Sequence, residues 1–230
     1  RVTTWWDTVE NLDLLLFVQN DDNIYEWSGG ITTILSATVD TITKNGTNTW
    51  AHDRFLVSGT RKVTINGTEY TYTGGETTTT LTGITPDPSA EAVNSIAIQS
   101  VITQADKPIA NRNNNYIFMN ENQIFVGSDS DNEVYMSQND DYTDFTYSAP
   151  REYGEGGLFP FDGATKGFGV LSKKPIIFSG KDSIFSIDFL QEQTSTVLAE
   201  RVSVRKLKTG VYQGAYNQET IVPIGNALIY

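Results

Sequence analysis

Gln123-Ile124-Phe125-Val126, seven polar or glycine residues, then Val134-Tyr135-Met136-Ser137 make one unit of the chain. The pattern returns as Pro175-Ile176-Ile177-Phe178, a five-residue break, and Ile184-Phe185-Ser186-Ile187. Each copy is two short apolar runs joined by Gly, Asp, Asn and Ser, the signature of a β-hairpin. Tyr135 precedes Phe185 by 50 positions, and a multi-strand repeat of roughly 40–50 residues is the period of a β-propeller blade. Residues 116–190 are therefore expected to form consecutive antiparallel blades, with Phe125, Tyr135, Phe178 and Phe185 buried between sheets.

Working outward, the unit recurs as Leu14-Leu15-Leu16-Phe17-Val18, five polar residues, and Ile24-Tyr25-Glu26-Trp27. Tyr25 lies 110 positions before Tyr135, 60 more than the repeat requires, so one further module is expected between these copies. Another copy opens at Thr220-Ile221-Val222-Pro223-Ile224 and stops at Tyr230. With no methionine at Arg1 and no return strand after Tyr230, the chain reads as a segment of a longer polypeptide. The fold class is all-β, propeller-like blades carrying an inserted small β-sheet or barrel. Residues 1–44 are assigned to a first blade region, 45–110 to the inserted module, and 111–230 to further blades, the last incomplete.

Within the insert, Asn45-Gly46 and Asn66-Gly67 are type I′ turn dipeptides. Val63-Thr64-Ile65 and Thr68-Glu69-Tyr70-Thr71-Tyr72 flank the second as strands. Thr77 to Leu81 is a β-branched run, Pro86-Asp87-Pro88-Ser89 opens one helical turn, and Ile96 to Ile102 is a strand. The expected core of the module is Val63, Ile65, Tyr70, Leu81, Ile96 and Ile98. Both Asn-Gly-Thr sequons fit glycosylation formally, and turn formation explains them as well.

Composition narrows the function. A net charge of −12 opposes binding to nucleic acid or anionic membrane. There is no cysteine, hence no disulfide framework or thiolate metal site. No apolar run approaches the ~20 residues of a membrane span. His52, the one histidine, has Asp53 beside it but no nucleophile elbow, and three-histidine zinc sites are impossible. Gly163 to Gly169 lacks the order of a phosphate loop and reads as a turn. Asp129-Ser130-Asp131-Asn132-Glu133 resembles the start of a calcium loop, but Val134 stands where glycine is required. No enzyme chemistry and no cofactor are expected, although paired carboxylates for glycoside hydrolysis remain compatible with the many acids.

Two charged surfaces stand out. Asp129, Asp131, Glu133, Asp140 and Asp141 form an acidic loop surface. Arg201, Arg205, Lys206 and Lys208 lie on a strand-like run, with Val202 and Val204 facing one way. They read either as a solvated edge strand or, with Asn66 and Gly67 of the insert, as a partner interface. Trp5, Trp6 and Trp27 fit packing between blades or an exposed sugar-stacking platform.

Glu133-Val134-Tyr135-Met136-Ser137 leading to Asp141-Tyr142-Thr143-Asp144-Phe145 resembles a blade of the β-propeller hub or nozzle proteins in the tails of short-tailed phages. So do Leu158-Phe159-Pro160-Phe161 with Ile176-Ile177-Phe178 and Ser183-Ile184-Phe185, the run Leu14 to Gly29, and Gly210 to Tyr230. Thr78 to Pro88 looks like an inserted phage structural β-module. The resemblance implies a virion protein of the tail or head-to-tail connector, made in the host cytoplasm. It would be a homo-oligomeric ring subunit that forms or closes the DNA exit channel. Its partners would be other tail proteins, with no sequence-specific DNA binding and no membrane insertion. The alternative is a carbohydrate-binding or glycoside-hydrolysing propeller of a receptor-binding tail protein.

Overall fold

The protein is all-β. The structure, a computed structural model, describes residues 2–7, 12–19, 23–58, 61–103, 113–148, 152–180, 183–193, 198–207, 215, 218–224 and 227–229. Apart from one 3₁₀ turn, Gln218–Thr220, every regular element among them is a strand. The chain divides into two compact units, one comprising Thr4–Leu16 and Tyr25–Thr103, the other Arg1–Thr3, Phe17–Ile24 and Gln104–Tyr230.

Strands β1 (Val2–Asp7), β2 (Leu12–Phe17) and β3 (Tyr25–Trp27) lie side by side in sequence order. The chain then leaves for β4 (Ile31–Ala37), β5 (Thr41–Lys44), β6 (Lys62–Ile65), β7 (Thr68–Thr71), β8 (Thr80–Thr82) and β9 (Ile96–Gln99). It returns as β10 (Ile102–Thr103), which pairs with β3 through Ile102 opposite Glu26 and completes a four-stranded sheet. The insertion thus interrupts this sheet between its third and fourth strands. It begins near residue 30, not 45, because β4 and β5 belong to the inserted sheet. The local signal is Gly29-Gly30. Gly29 has φ +79°, and a Cβ on Gly30 would sit 2.8 Å from the Arg54 carbonyl oxygen.

The inserted strands form one antiparallel sheet, ordered β7-β6-β9-β4-β5-β8, that curls into a half-barrel. Its ends are tied by backbone bonds, Thr71 N to Thr85 O at 2.8 Å and Thr82 N to Gly74 O at 2.8 Å. Ile34, Ile42, Trp50, Phe55, Val63, Ile65, Leu81 and Ala97 fill the inside, with Trp50 and Phe55 edge to face at 4.7 Å. Val63, Ile65, Tyr70 and Leu81 are buried, as their alternation requires. Ile96 and Ile98 are not; they point outward at 53% and 38% exposure. Gln99 fixes this parity: its side chain must face inward to accept from Leu56 N and donate to Lys62 O, so Ala97 turns in and both isoleucines turn out.

Two turn readings separate here. Asn66 and Gly67 have φ of +49° and +83°, the type I′ geometry that the β6–β7 hairpin needs. Asn45 is absent from the left-handed residues. Its side chain instead donates to Thr33 Oγ1 and the Ile34 carbonyl, and the β4–β5 hairpin closes at Thr38–Thr41. After Pro86 the chain makes a single turn, closed by Glu91 N to Pro88 O at 2.9 Å, where one turn is expected.

In the other unit, β11 (Tyr116–Asn120), β12 (Gln123–Gly127), β13 (Glu133–Met136) and β14 (Gly157–Pro160) form an up-and-down sheet in sequence order. A second such sheet follows from β15 (Thr165–Leu171), β16 (Lys174–Ser179), β17 (Ser183–Gln193) and β18 (Leu198–Lys206). Then comes the hairpin of β19 (Val222–Ile224) and β20 (Ala227–Ile229). Phe125, Val134, Met136, Phe159 and Phe161 of the first sheet region pack against Phe168, Ile177, Phe185 and Ile187 of the second. On the second sheet's opposite face, Ile176, Phe178 and Ile184 pack with Ala215, Ile221 and Leu228. Phe125, Phe178 and Phe185 are buried as expected, but Tyr135 is only half-buried. Val134 and Met136 hold the inward parity, and Tyr135 alternates out beside Glu133.

Of the 163–169 stretch, only Gly163 and Ala164 lie in a connection; from Thr165 on it is strand and not turn. Its glycines permit close approach: a Cβ on Gly167 would lie 2.7 Å from Gln218 Oε1, and one on Gly169 2.8 Å from Leu228 Cδ1. The Gln218 amide behaves as an extra strand, accepting from Phe168 N at 2.5 Å and donating to Phe168 O at 2.9 Å. Of the five polar residues between Val18 and Ile24, Asn20, Asp21 and Asp22 lie outside the described residues.

Candidate functional site

The acidic surface is not one patch. Asp129 and Asp131 sit on the β12–β13 turn and Glu133 opens β13, whereas Asp140 and Asp141 lie beyond the far end of β13, where Asp140 N donates to Asn122 O of the β11–β12 turn. Several of these carboxylates shape their own loops. Asp131 accepts from Glu133 N, Asp141 from Thr143 N and Asp144 from Thr146 N. Such side-chain to backbone bonds make tight polar turns. Glu155 Oε2 gathers Ser148 N, Ser148 Oγ and Glu152 N.

The basic run divides as well. Arg205 and Lys206 are neighbours on β18 and so leave opposite faces of the sheet. Arg205, 68% exposed, reaches Asp188 at 3.4 Å. Lys206 pairs with Asp162 at 2.5 Å and lies 5.7 Å from the Phe185 ring centroid. The Lys206 hydrogen bond outweighs slight desolvation and holds the Asp162 carboxyl below its ordinary range. Of the other two, Lys208 and the Arg201 side chain lie outside the described residues. Asn66 is engaged inside the molecule, donating to Glu91 Oε2 and Ser95 Oγ, while a Cβ on Gly67 would meet open space.

Two clefts remain. The first, of 180 Å³, lies in the unit that carries the curled sheet and is lined by Thr4, Asp13, Leu15, Trp27, Ser28 and Arg54 among others. Arg54 is left-handed, φ +69°, and its guanidinium donates to Ser28 O at 2.7 Å and Asp13 O at 2.6 Å. Trp27 is held by its Nε1 bond to Gln99 O. The second cleft, of 290 Å³, is lined by Asn120, Glu121, Lys173, Lys174, Asp188 and Leu190 among others. Glu121 and Asp188 bring two carboxylates to it, but both Asp188 oxygens face cations, Oδ1 to Lys174 at 2.5 Å and Oδ2 to Arg205. Both volumes fall below the ~300–1,000 Å³ of most small-molecule sites, so each has room for one side chain or one sugar ring.

No protein-family model, curated protein or solved structure matches this chain.

The residues that sequence reading missed are buried ones. Lys44, its side chain 2% exposed, faces into the curled sheet and pairs with Asp53 at 2.7 Å. Burial works against the Asp53 charge, yet hydrogen bonds from Lys44 and His52 and the Lys44 charge carry its pKa below the ordinary value. Asp53 thus serves Lys44, while His52 stays 67% exposed. Alternation in Thr41-Ile42-Thr43-Lys44 places Lys44 on the inward side of Ile42, the one signal that could have found it. Among the described residues no group of three or more acids and histidines is placed to hold a metal ion. No helix among them is long and apolar enough to cross a membrane.

Proposed function

We propose that this chain is a structural protein of a phage tail, a hub, nozzle or connector-ring subunit built on β-propeller blades. One observation carries the reading: the β15–β18 meander buries both of its faces, one on the β11–β14 meander and the other on the segment holding β19 and β20. A propeller is made of four-stranded antiparallel sheets packed in series, and an interior blade is covered on both sides. The strand order within each sheet, sequential and up-and-down, suits the same unit. In such a ring the acids face passing DNA without holding it, since like charge repels phosphate. Neighbouring tail proteins are the partners, and the virion is the place of action.

The test is made on particles and on the isolated chain. Antibody against this chain should label tails in electron micrographs. The chain should show no duplex DNA binding at ~0.15 M salt, where exposed charges act only over about 8 Å. Label confined to host material, or tight DNA binding, contradicts the reading. Charge reversal of Arg205 and Lys206 is a poor assembly probe, because it sets glutamates beside Asp188 and Asp162.

The first cleft favours a second reading, a carbohydrate-binding propeller. Trp27 beside Asp13 and Arg54 offers an aromatic wall and polar groups, and Trp6 is 52% exposed. Chemical-shift changes at the Trp27 indole on adding simple sugars, absent in Trp27→Leu, decide for it.

A further inference from the structure

We infer that the outward face of the curled sheet around Ile31, Ile96 and Ile98 is a self-association surface that docks on the same face of a second copy of this chain. Ile31 stands directly opposite Ile98 in the β4–β9 ladder, and Thr33 opposite Ile96. Ile31 is 60% exposed, Ile96 53% and Ile98 38%, and Leu35 beside the β4 bulge is 51% exposed. Strand β9 carries its larger apolar side chains outside and Ala97 within. Scattered exposed aliphatics are ordinary; several on adjacent strands of one face mark a contact.

The charge of the molecule selects the occupant. Two copies, each at −12, repel wherever acids meet, so they approach most closely through an uncharged face. Across β5, β4 and β9 the outward positions Thr41, Thr43, Ile31, Thr33, Ile96 and Ile98 carry no charge, and β6 adds Thr64 beside Ile98 and, at the margin, Lys62. The first charges met are Lys62 and Glu69, paired with each other at 2.7 Å. Such a face finds its best complement in itself, and a two-fold contact uses the same patch on both partners.

Its size sets the strength. Four strands at ~4.8 Å spacing and five residues at ~3.4 Å rise give a plane of roughly 300 Å². A standard interface buries about 800 Å² per partner, so the contact is weak, with a dissociation constant in the micromolar range or above. This inference does not depend on the tail reading, since it concerns pairing of copies in solution.

Sedimentation velocity over about 1–300 µM, a range chosen around the micromolar constant, should show a reversible monomer–dimer equilibrium for the native chain. Ile98→Glu should weaken it at least ten-fold with an unchanged melting curve. Ile98→Thr, which keeps a β-branched side chain, should weaken it less. Mixing Ile98→Glu with Ile98→Lys should restore a heterodimer where neither variant self-associates. A native chain monomeric throughout, self-association undiminished in Ile98→Glu, or a mixture that stays monomeric overturns the inference.

Discussion

At the scale of single residues, hydrogen bonds decide what alternation leaves open. Tyr70 is buried on the curled sheet, and its hydroxyl lies 2.5 Å from Glu91 Oε1. Desolvation first, then the Glu91 hydrogen bond and charge, push the phenol up to about 12 from 10.0. Because the folded pKa is the higher one, the stability this bond contributes is complete below pH 10 and is lost as the pH rises toward 12. In a spectrophotometric titration Tyr70 should ionise late, toward pH 12, and Tyr70→Phe should lower the late amplitude by one tyrosine. A late amplitude undiminished in Tyr70→Phe contradicts the assignment. The β15–β16 turn makes another case. Ser172 and Lys173 have φ of +51° and +66° between paired Leu171 and Lys174, a two-residue turn better served by Asn-Gly. Ser172→Asn with Lys173→Gly should raise stability by about 1 kcal/mol, since left-handed residues with a Cβ are strained by about that much each. Chemical denaturation reads it, and an unchanged or lower midpoint refutes the strain argument.

At the scale of the element, the inserted sheet leaves β3 at Trp27 and is rejoined at Ile102. Replacing residues 30–100 with a short Gly-Ser linker should therefore leave the β11–β14 and β15–β18 sheets folded, as read from amide hydrogen-exchange protection in β12 and β16. Loss of protection there would show that the insert is part of one cooperative core with them. The hairpins were legible because alternation and turn chemistry are local: Asn66-Gly67, the runs of β12 and β13, and those of β16 and β17 lie within a few residues of each other. The insert's true start was not, because Ile31 to Lys44 reads as strand whichever sheet it joins, and only long-range pairing with β9 and β8 decides. The outward turn of Ile96 and Ile98 escaped for a related reason: Gln99 finds its inward partners on Leu56 and Lys62, far away in sequence. Lys44 and Asp53 are likewise nine residues apart and meet only when the sheet curls. Charge runs misled in the opposite direction. Arg205 and Lys206 look like one patch in sequence, but strand geometry sends them to opposite faces and onto separate acids.

At the scale of the whole molecule, Asp131, Asp141 and Asp144 shape polar turns, while the large buried side chains of the β11–β18 region stand between its sheets. The proposed structural role rests on the serial packing of β11–β14, β15–β18 and the β19–β20 segment. The most direct measurement is electron cryomicroscopy of particles labelled through this chain. Four-stranded sheets should be found arrayed radially in the tail, with β11 and β15, the first strands of their sheets, nearest the channel axis. Tails without this density, or sheets paired as a closed sandwich with no common axis, would contradict it.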